Sequence, residues 1–275
     1  MANPSRPMRD RLAIHHWTLD HLPLADFLRV ARESGWNGVE LRRSSFTKCY
    51  AAGMSNAQVL ELIRASGIAV ATLGTENGLF FAKGEERERL LKVLDETSAN
   101  AAALGCTTIM CAEGRGAGTL SEVADNLRAG GEVCRHHNVR LAFEFSCTAA
   151  VVNSLVVARE VQARVNHPNV GLLLDAYHLH RSGAVGRSFA DVPGGDIAAF
   201  QYSDVPPTPL MPGAPPTDRL APGKGTVPWR EVFQLLEEKG YEGYLSYESP
   251  NPNNAKRQPD ELAREAADAT RALLG

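Results

Sequence analysis

Eight short apolar segments recur along the chain, and between them lie stretches with the apolar period of helices. The apolar segments are "RLAIHHW", "GVELR", "GIAVATLG", "TTIMCAEG", "VRLAFEFS", "VGLLLDAYH", "AAFQYSDV" and "GYLSYES". Lacking strict alternation, they suit parallel strands covered on both faces. The intervening stretches carry helix punctuation. "LADFLRVARESG" ends on Gly35, and "SNAQVLELIRASG" begins with Ser55 as N-cap and ends on Gly67. "GEERERLLKVLDETSANAAALG", "LSEVADNLRAGGEVCRHHN", "TVPWREVFQLLEEKG" and "PDELAREAADATRALLG" have the same helical pattern. A closed (β/α)8 TIM barrel, an α/β fold, accounts best for this alternation, with an open doubly wound sheet as the runner-up. No linker-like break divides residues 1–275, which read as a single domain.

Composition narrows the function classes. At 275 residues and 44% hydrophobic content the chain can bury one large core. A net charge of −3 gives no support to a nucleic-acid or anionic-membrane surface. No apolar run approaches the roughly 18 residues of a membrane span, and "MANPSRPMRD" lacks the apolar core of a signal peptide. The five cysteines are scattered and form no CxxC pair, so reduced thiols in a cytoplasmic protein are expected. A homo-oligomer stays open. Residues 184–224 have little helical pattern outside the "AAFQYSDV" strand. "PPTPLMPGAPPTDRLAPGKG" reads as a long loop or lid over the site.

The apolar run Val170 to Leu174 stops on Asp175. An isolated carboxylate buried there would be costly unless paired or metal-bound. In a parallel barrel the chemistry gathers where strands end. Glu144 sits near the end of "VRLAFEFS", Asp175 at the end of "VGLLLD" and Glu248 at the end of "GYLSYE". Gln201 lies within "AAFQYSD", with Asp204 just beyond it. Carboxylates gathered at that density repel, and a divalent cation converts the repulsion into binding. Two Glu, one Asp and a Gln amide oxygen make an oxygen-rich set suited to Mn²⁺ first, with Mg²⁺ or Co²⁺ as alternatives. The competing reading of any one strand-end acid is a helix N-cap or a salt-bridge partner. For the set of four that reading weakens, since no obvious buried Lys or Arg lies within the same strands to balance them.

Other residues carry weaker signals. His178, three residues after Asp175, can reach a substrate hydroxyl; a satisfied surface histidine is the alternative. His15 and His16 fall on opposite faces of the first strand, and His16 is taken as a pocket candidate. Glu40 pairs with Arg42 or a neighbouring strand. Glu76 and Glu113 are loop acids that either line the pocket or organise their loops. "RLAPGKG" sets Arg219 and Lys224 beside glycines, a pattern that suits an anion site or a plain Gly-Pro turn. "GRGAG", residues 114–118, lacks dinucleotide-loop spacing and reads as an ordinary βα loop, and there is no GxSxG elbow or P-loop.

From "GWNGVELR" to "GYLSYES" the chain resembles the xylose isomerase-like barrel superfamily. The branch it resembles is the sugar phosphate isomerase/epimerase branch, which also holds ketose 3-epimerases, inosose dehydratase and 3-dehydroshikimate dehydratase. "AFEFS", "LLLDAYHLHRSG", "FQYSDVP", "RLAPGKGTVPW" and "GYLSYES" carry the likeness. The resemblance implies metal ligands at Glu144, Asp175, Gln201 and Glu248, and substrate binding by His178 and Arg219. Gln201 stands where the epimerases usually have His, and in this the chain resembles the dehydroshikimate dehydratases.

The expected activity is a metal-dependent sugar or sugar phosphate isomerase/epimerase. A cation chelating a carbonyl and its neighbouring hydroxyl acidifies the intervening C–H and stabilises an enediolate. Glu144 and Glu248 then act from opposite sides as base and acid. Loss of a β-hydroxyl instead gives the alternative, a dehydratase of a cyclic keto-polyol. Two other classes are a non-catalytic sugar-binding barrel, which has no need of two opposed bases, and an endonuclease IV-like enzyme, which needs a richer His supply. The expected partner is a small sugar or keto-polyol, with neither nucleic acid nor membrane.

Overall fold

A computed structural model describes residues 6–114 and 116–275; Met1–Ser5 and Arg115 of "GRGAG" lie outside the described residues. Eight parallel strands close into a barrel in sequence order. They are β1 (Leu12–His15), β2 (Gly38–Leu41), β3 (Ala69–Gly74), β4 (Thr108–Ala112), β5 (Arg140–Glu144), β6 (Val170–Asp175), β7 (Ile197–Tyr202) and β8 (Leu245–Tyr247). The closing pair is β1 with β8, Ala13 opposite Ser246. The open doubly wound sheet is therefore excluded.

The helices are α1 (Leu24–Glu33), α2 (Arg43–Ala51), α3 (Asn56–Ala65), α4 (Gly84–Ala103), α5 (Leu120–His136), α6 (Leu155–Val165), α7 (Ala176–Arg181), α8 (Trp229–Glu238) and α9 (Pro259–Leu274). Ser55 caps α3 as its sequence implies, its backbone N–H donating to Gln58 Oε1 at 2.8 Å. Three helices go beyond those the apolar pattern picks out: α2, α6 and α7. The α6 sequence is rich in β-branched valines, so its local preference is divided. Burial of Leu155, Ala158, Val161 and Val165 along one face settles it as helix. No helix among the described residues is long and apolar enough to cross a membrane.

The core has two layers, and their division places the site. Phe143, Leu172, Leu174, Phe200 and Tyr202 point outward into the large core shared with the helices. Met110, Ala142, Leu173 and Ala199 form a small cluster inside the barrel. Side chains alternate along a strand, so the next inward positions toward the carboxyl ends are Ala112, Glu144, Asp175 and Gln201. Register aligns them: Ala112 is opposite Glu144, and Asp175 is opposite Gln201. On β1 and β2 the rim pair is His15 and Glu40.

Candidate metal centre

The inward-facing rim residues form one buried polar network. Glu144, Asp175 and His178 offer ligand atoms that all lie within 4.8 Å of one another. His178 Nε2 is 3.7 Å from both Glu144 Oε1 and Asp175 Oδ2. Arg219, whose side chain is fully buried, reaches Asp175 Oδ2 at 2.7 Å and Glu248 Oε2 at 3.1 Å through Nη1. Glu248 Oε1 lies 3.4 Å from His15 Nε2, which is 3.8 Å from Glu40 Oε1. Glu40 Oε1 in turn accepts a hydrogen bond from Gln201 Nε2 at 2.9 Å.

Asp175 serves both expected structural roles at once. Its Oδ1 accepts the Tyr177 N–H at 3.0 Å and caps α7, while its Oδ2 takes Arg219. The balancing arginine comes from the loop after β7, not from a strand, so a search of the strands alone misses it. Arg219 also donates to the Glu248 carbonyl at 3.1 Å, and its guanidinium carbon lies 4.3 Å from the centre of the Tyr177 ring. His178 faces Cys147 with Nδ1, at 3.2 Å from Sγ, and Arg219 Nη2 with Nε2 at 3.2 Å.

Charge is unevenly distributed. Glu40, Glu144, Asp175 and Glu248 are all buried, and Arg219 is the buried cation among them. Burial, then repulsion from Glu248 and Asp175, holds the Glu144 carboxyl well above its ordinary range. Burial pushes Glu248 up to about 7 against the opposing pull of Arg219. Burial likewise raises Glu40 to about 8. The histidines move oppositely: burial pulls His178 down to about 3 and holds His15 well below its usual value.

Two oxygens of the candidate ligands remain without hydrogen-bond partners although buried: Glu144 Oε1 and Gln201 Oε1. Orphaned buried acceptors are rare in folded proteins. An excess of carboxylate, two unpartnered oxygens and the close cluster of Glu144, Asp175 and His178 suit a divalent cation. The donor chemistry of these residues therefore fits a metal.

Other expected residues lie away from this network or serve it indirectly. His16 is engaged on both ring nitrogens, by Ser45 Oγ at 2.8 Å and the Leu22 carbonyl at 3.2 Å, and stacks on Phe27. It is His15 that points into the barrel. Glu113 accepts the Val152 N–H at 2.7 Å and organises the loop after β5. Asp204 is likewise a loop organiser. Its carboxylate accepts the N–H groups of Val205, Gly223 and Val227 and the Trp229 indole N–H at 2.8–3.0 Å. One of these donors, the Gly223 N–H, belongs to "RLAPGKG" and is engaged by Asp204. A Cβ at Gly225 would collide with Val205 O and Asp204 Oδ1, so the close approach needs glycine. Lys224 is exposed and lines a separate cleft of about 280 Å³ with Arg219, Tyr247 and Ser249.

A cleft of about 360 Å³ opens onto the rim beside Glu248. Trp17, Arg42, Glu76 and Asn77 line its walls, and Met110 and Ala112 are among its apolar lining. Arg42 lies over the Trp17 ring at 4.6 Å and 3.7 Å from Asp20, while Glu76 is tied to Arg89. Sequence reasoning missed Arg42 and Trp17 as cleft residues; their only signal is position just beyond the ends of β2 and β1.

The family model for the xylose isomerase-like TIM barrel matches residues 28–273. The inosose isomerase of Halalkalibacterium halodurans is 31% identical over 145 residues, covering 50% of this chain and 49% of that protein. The 3-dehydroshikimate dehydratase of Pseudomonas putida is 26% identical over 258 residues, covering 91% of this chain and 39% of that protein. The chain thus spans about half the length of the first of these relatives and less of the second. Among solved structures, the IolI protein with a binding zinc atom superposes with a TM-score of 0.85 at 21% identity, covering 96% of this chain and 98% of that one.

Proposed function

The chain belongs to the xylose isomerase-like TIM barrel family, and from that premise we propose that it is a divalent-metal-dependent isomerase or epimerase of a sugar or cyclic polyol ketone. The observation that carries the proposal is the pair Glu144 and Glu248. Both are buried, both have raised carboxyl pKa values, and they stand at the rim of the same barrel with Asp175 and Arg219 between them.

Glu144, Asp175, Gln201 and Glu248 would hold the cation. Mn²⁺ is the first choice for this oxygen set, and zinc is an alternative supported by the IolI structure. The bound ion would polarise a substrate carbonyl and the neighbouring hydroxyl, acidify the C–H between them and stabilise the enediolate.

The chain's own residues do the rest. One glutamate takes the proton from carbon and the other returns one; a pKa displaced toward neutrality suits that exchange. Return to the same carbon on the opposite face gives an epimer, and return to the neighbouring carbon gives an isomer. Arg219 and His178, buried beside the carboxylates, hold substrate oxygens. The cleft beside Glu248 takes the remainder of the substrate, with Arg42 and Asn77 meeting its hydroxyls over Met110.

A second reading, loss of a β-hydroxyl to give a dehydrated ketone, is favoured by Gln201 and by similarity to the P. putida dehydratase. Metal-stripped and metal-reloaded protein assayed on keto-sugars, their phosphates and cyclic polyol ketones tests both readings. Reloaded protein should turn over one of these classes and stripped protein none. Equal turnover by both preparations would end the metal-dependent proposal, and no turnover by either would favour a sugar-binding barrel.

A further inference from the structure

A carboxamide has two ends of nearly the same shape and opposite chemistry. Only its oxygen can ligate a cation, so a glutamine ligand has to be held the right way round. Gln201 is fully buried on β7, and its Nε2 donates to Glu40 Oε1 at 2.9 Å from across the barrel. Its Oε1 is left without a hydrogen-bond partner. Glu40 is also buried, on the inward face of β2, and His15 is its only ion-pair neighbour within 4.0 Å among the described residues. No lysine or arginine of the described chain balances it at that range.

An acceptor oxygen in this place has a clear use. Ionised or protonated, a carboxyl keeps at least one oxygen that accepts and cannot donate, and Glu40 Oε1, which takes the Gln201 N–H, turns that end of the amide toward itself. We propose that Glu40 is a positioning residue that locks the Gln201 amide with its carbonyl oxygen toward the cation pocket. The inference rests on Gln201 being a ligand, and it extends the centre to a strand that supplies no ligand of its own. Outer partners of this kind orient a metal's ligands and set the ion's affinity.

Calorimetric titration of Mn²⁺ into metal-stripped protein tests the inference, with thermal unfolding of each variant as a check on folding. Q201A should weaken binding, and E40A should weaken it by about 10–100-fold. The E40A/Q201A double variant should bind no worse than Q201A alone, because Glu40 acts only through the amide. Volume-conserving changes give a second arm. Q201E sets two carboxylates against each other, whereas E40Q/Q201E restores an N–H to carboxylate bond with donor and acceptor exchanged. The double variant should therefore bind Mn²⁺ more tightly than Q201E alone. A Glu40 acting only as nearby negative charge predicts the reverse order, because its loss would weaken cation binding. Wild-type affinity in Q201A would overturn the ligand reading itself. Weakened Q201A with unchanged E40A, or with additive losses in the double variant, would overturn the Glu40 inference alone.

Discussion

The two halves of the barrel rim are built from the same strand geometry and do different work. Along β5 to β8 the inward strand ends carry Glu144, Asp175, Gln201 and Glu248, with Arg219 folded back over them. Along β3 and β4 the corresponding ends are Gly74 and Ala112, which line an open cleft instead. One half concentrates charge at the expense of desolvation; the other keeps small side chains and leaves space. β1 and β2 join the halves, because His15 and Glu40 reach across to Glu248 and Gln201. A closed barrel allows this, since residues far apart in sequence meet at one rim.

If the halves divide chemistry from binding, their variants should fail differently. The largest effect belongs to the charged half. E144Q and E248Q keep shape and one oxygen but lose the base, and positioned acid-base groups contribute about 10²–10⁴-fold. Steady-state assays should show kcat reduced by at least that range in each variant, with folding intact by circular dichroism. Across the rim, R42A should raise KM about tenfold through loss of a charge-assisted contact, with kcat nearly unchanged. A fall in kcat to match the glutamine variants would show that the cleft half takes part in the chemistry.

The smallest effect is on the stability of the metal-free protein. Glu40 and Glu248 titrate near 8 and 7 when folded, against an ordinary 4.5. The folded state therefore keeps protons that the unfolded chain has released, and stability falls as pH rises from about 5 to 8. His178 and His16, held down to about 3 and 4 from 6.5, act oppositely: stability is lost as pH falls below about 6.5. Melting temperatures of stripped protein should decline from pH 6 to 8.5, and E40Q should decline less. A difference of about 2–4 °C accompanies each kcal/mol in a chain of this size class. Equal slopes for E40Q and wild type would mean that Glu40 does not contribute to the alkaline loss.

The alternation of apolar and helical segments, and the strand-end acids, were legible because burial on both faces and a charge closing an apolar run leave strong local signals. Less legible was anything set by packing between distant segments. β1 is buried along its whole length, so no alternation marks whether His15 or His16 faces inward. Asp175 meets Arg219 only because the loop after β7 folds back, which no strand pattern encodes. Asp204 is a carboxylate close to a strand end, as the acidic candidate ligands are, yet it is saturated by loop N–H groups. The distinction is made by hydrogen-bond partners, and those exist only in the folded chain.

The central claim is that Glu144 and Glu248 move a carbon-bound proton. Turnover of the substrate found by the panel, run in D₂O with product and recovered substrate read by NMR, tests it most directly. The account predicts solvent deuterium on the carbon next to the carbonyl, in product for an epimerase or isomerase, and loss of that label in step with rate in E144Q and E248Q. Conversion to an epimer or isomer with no solvent deuterium, and with activity retained in both glutamine variants, would contradict it.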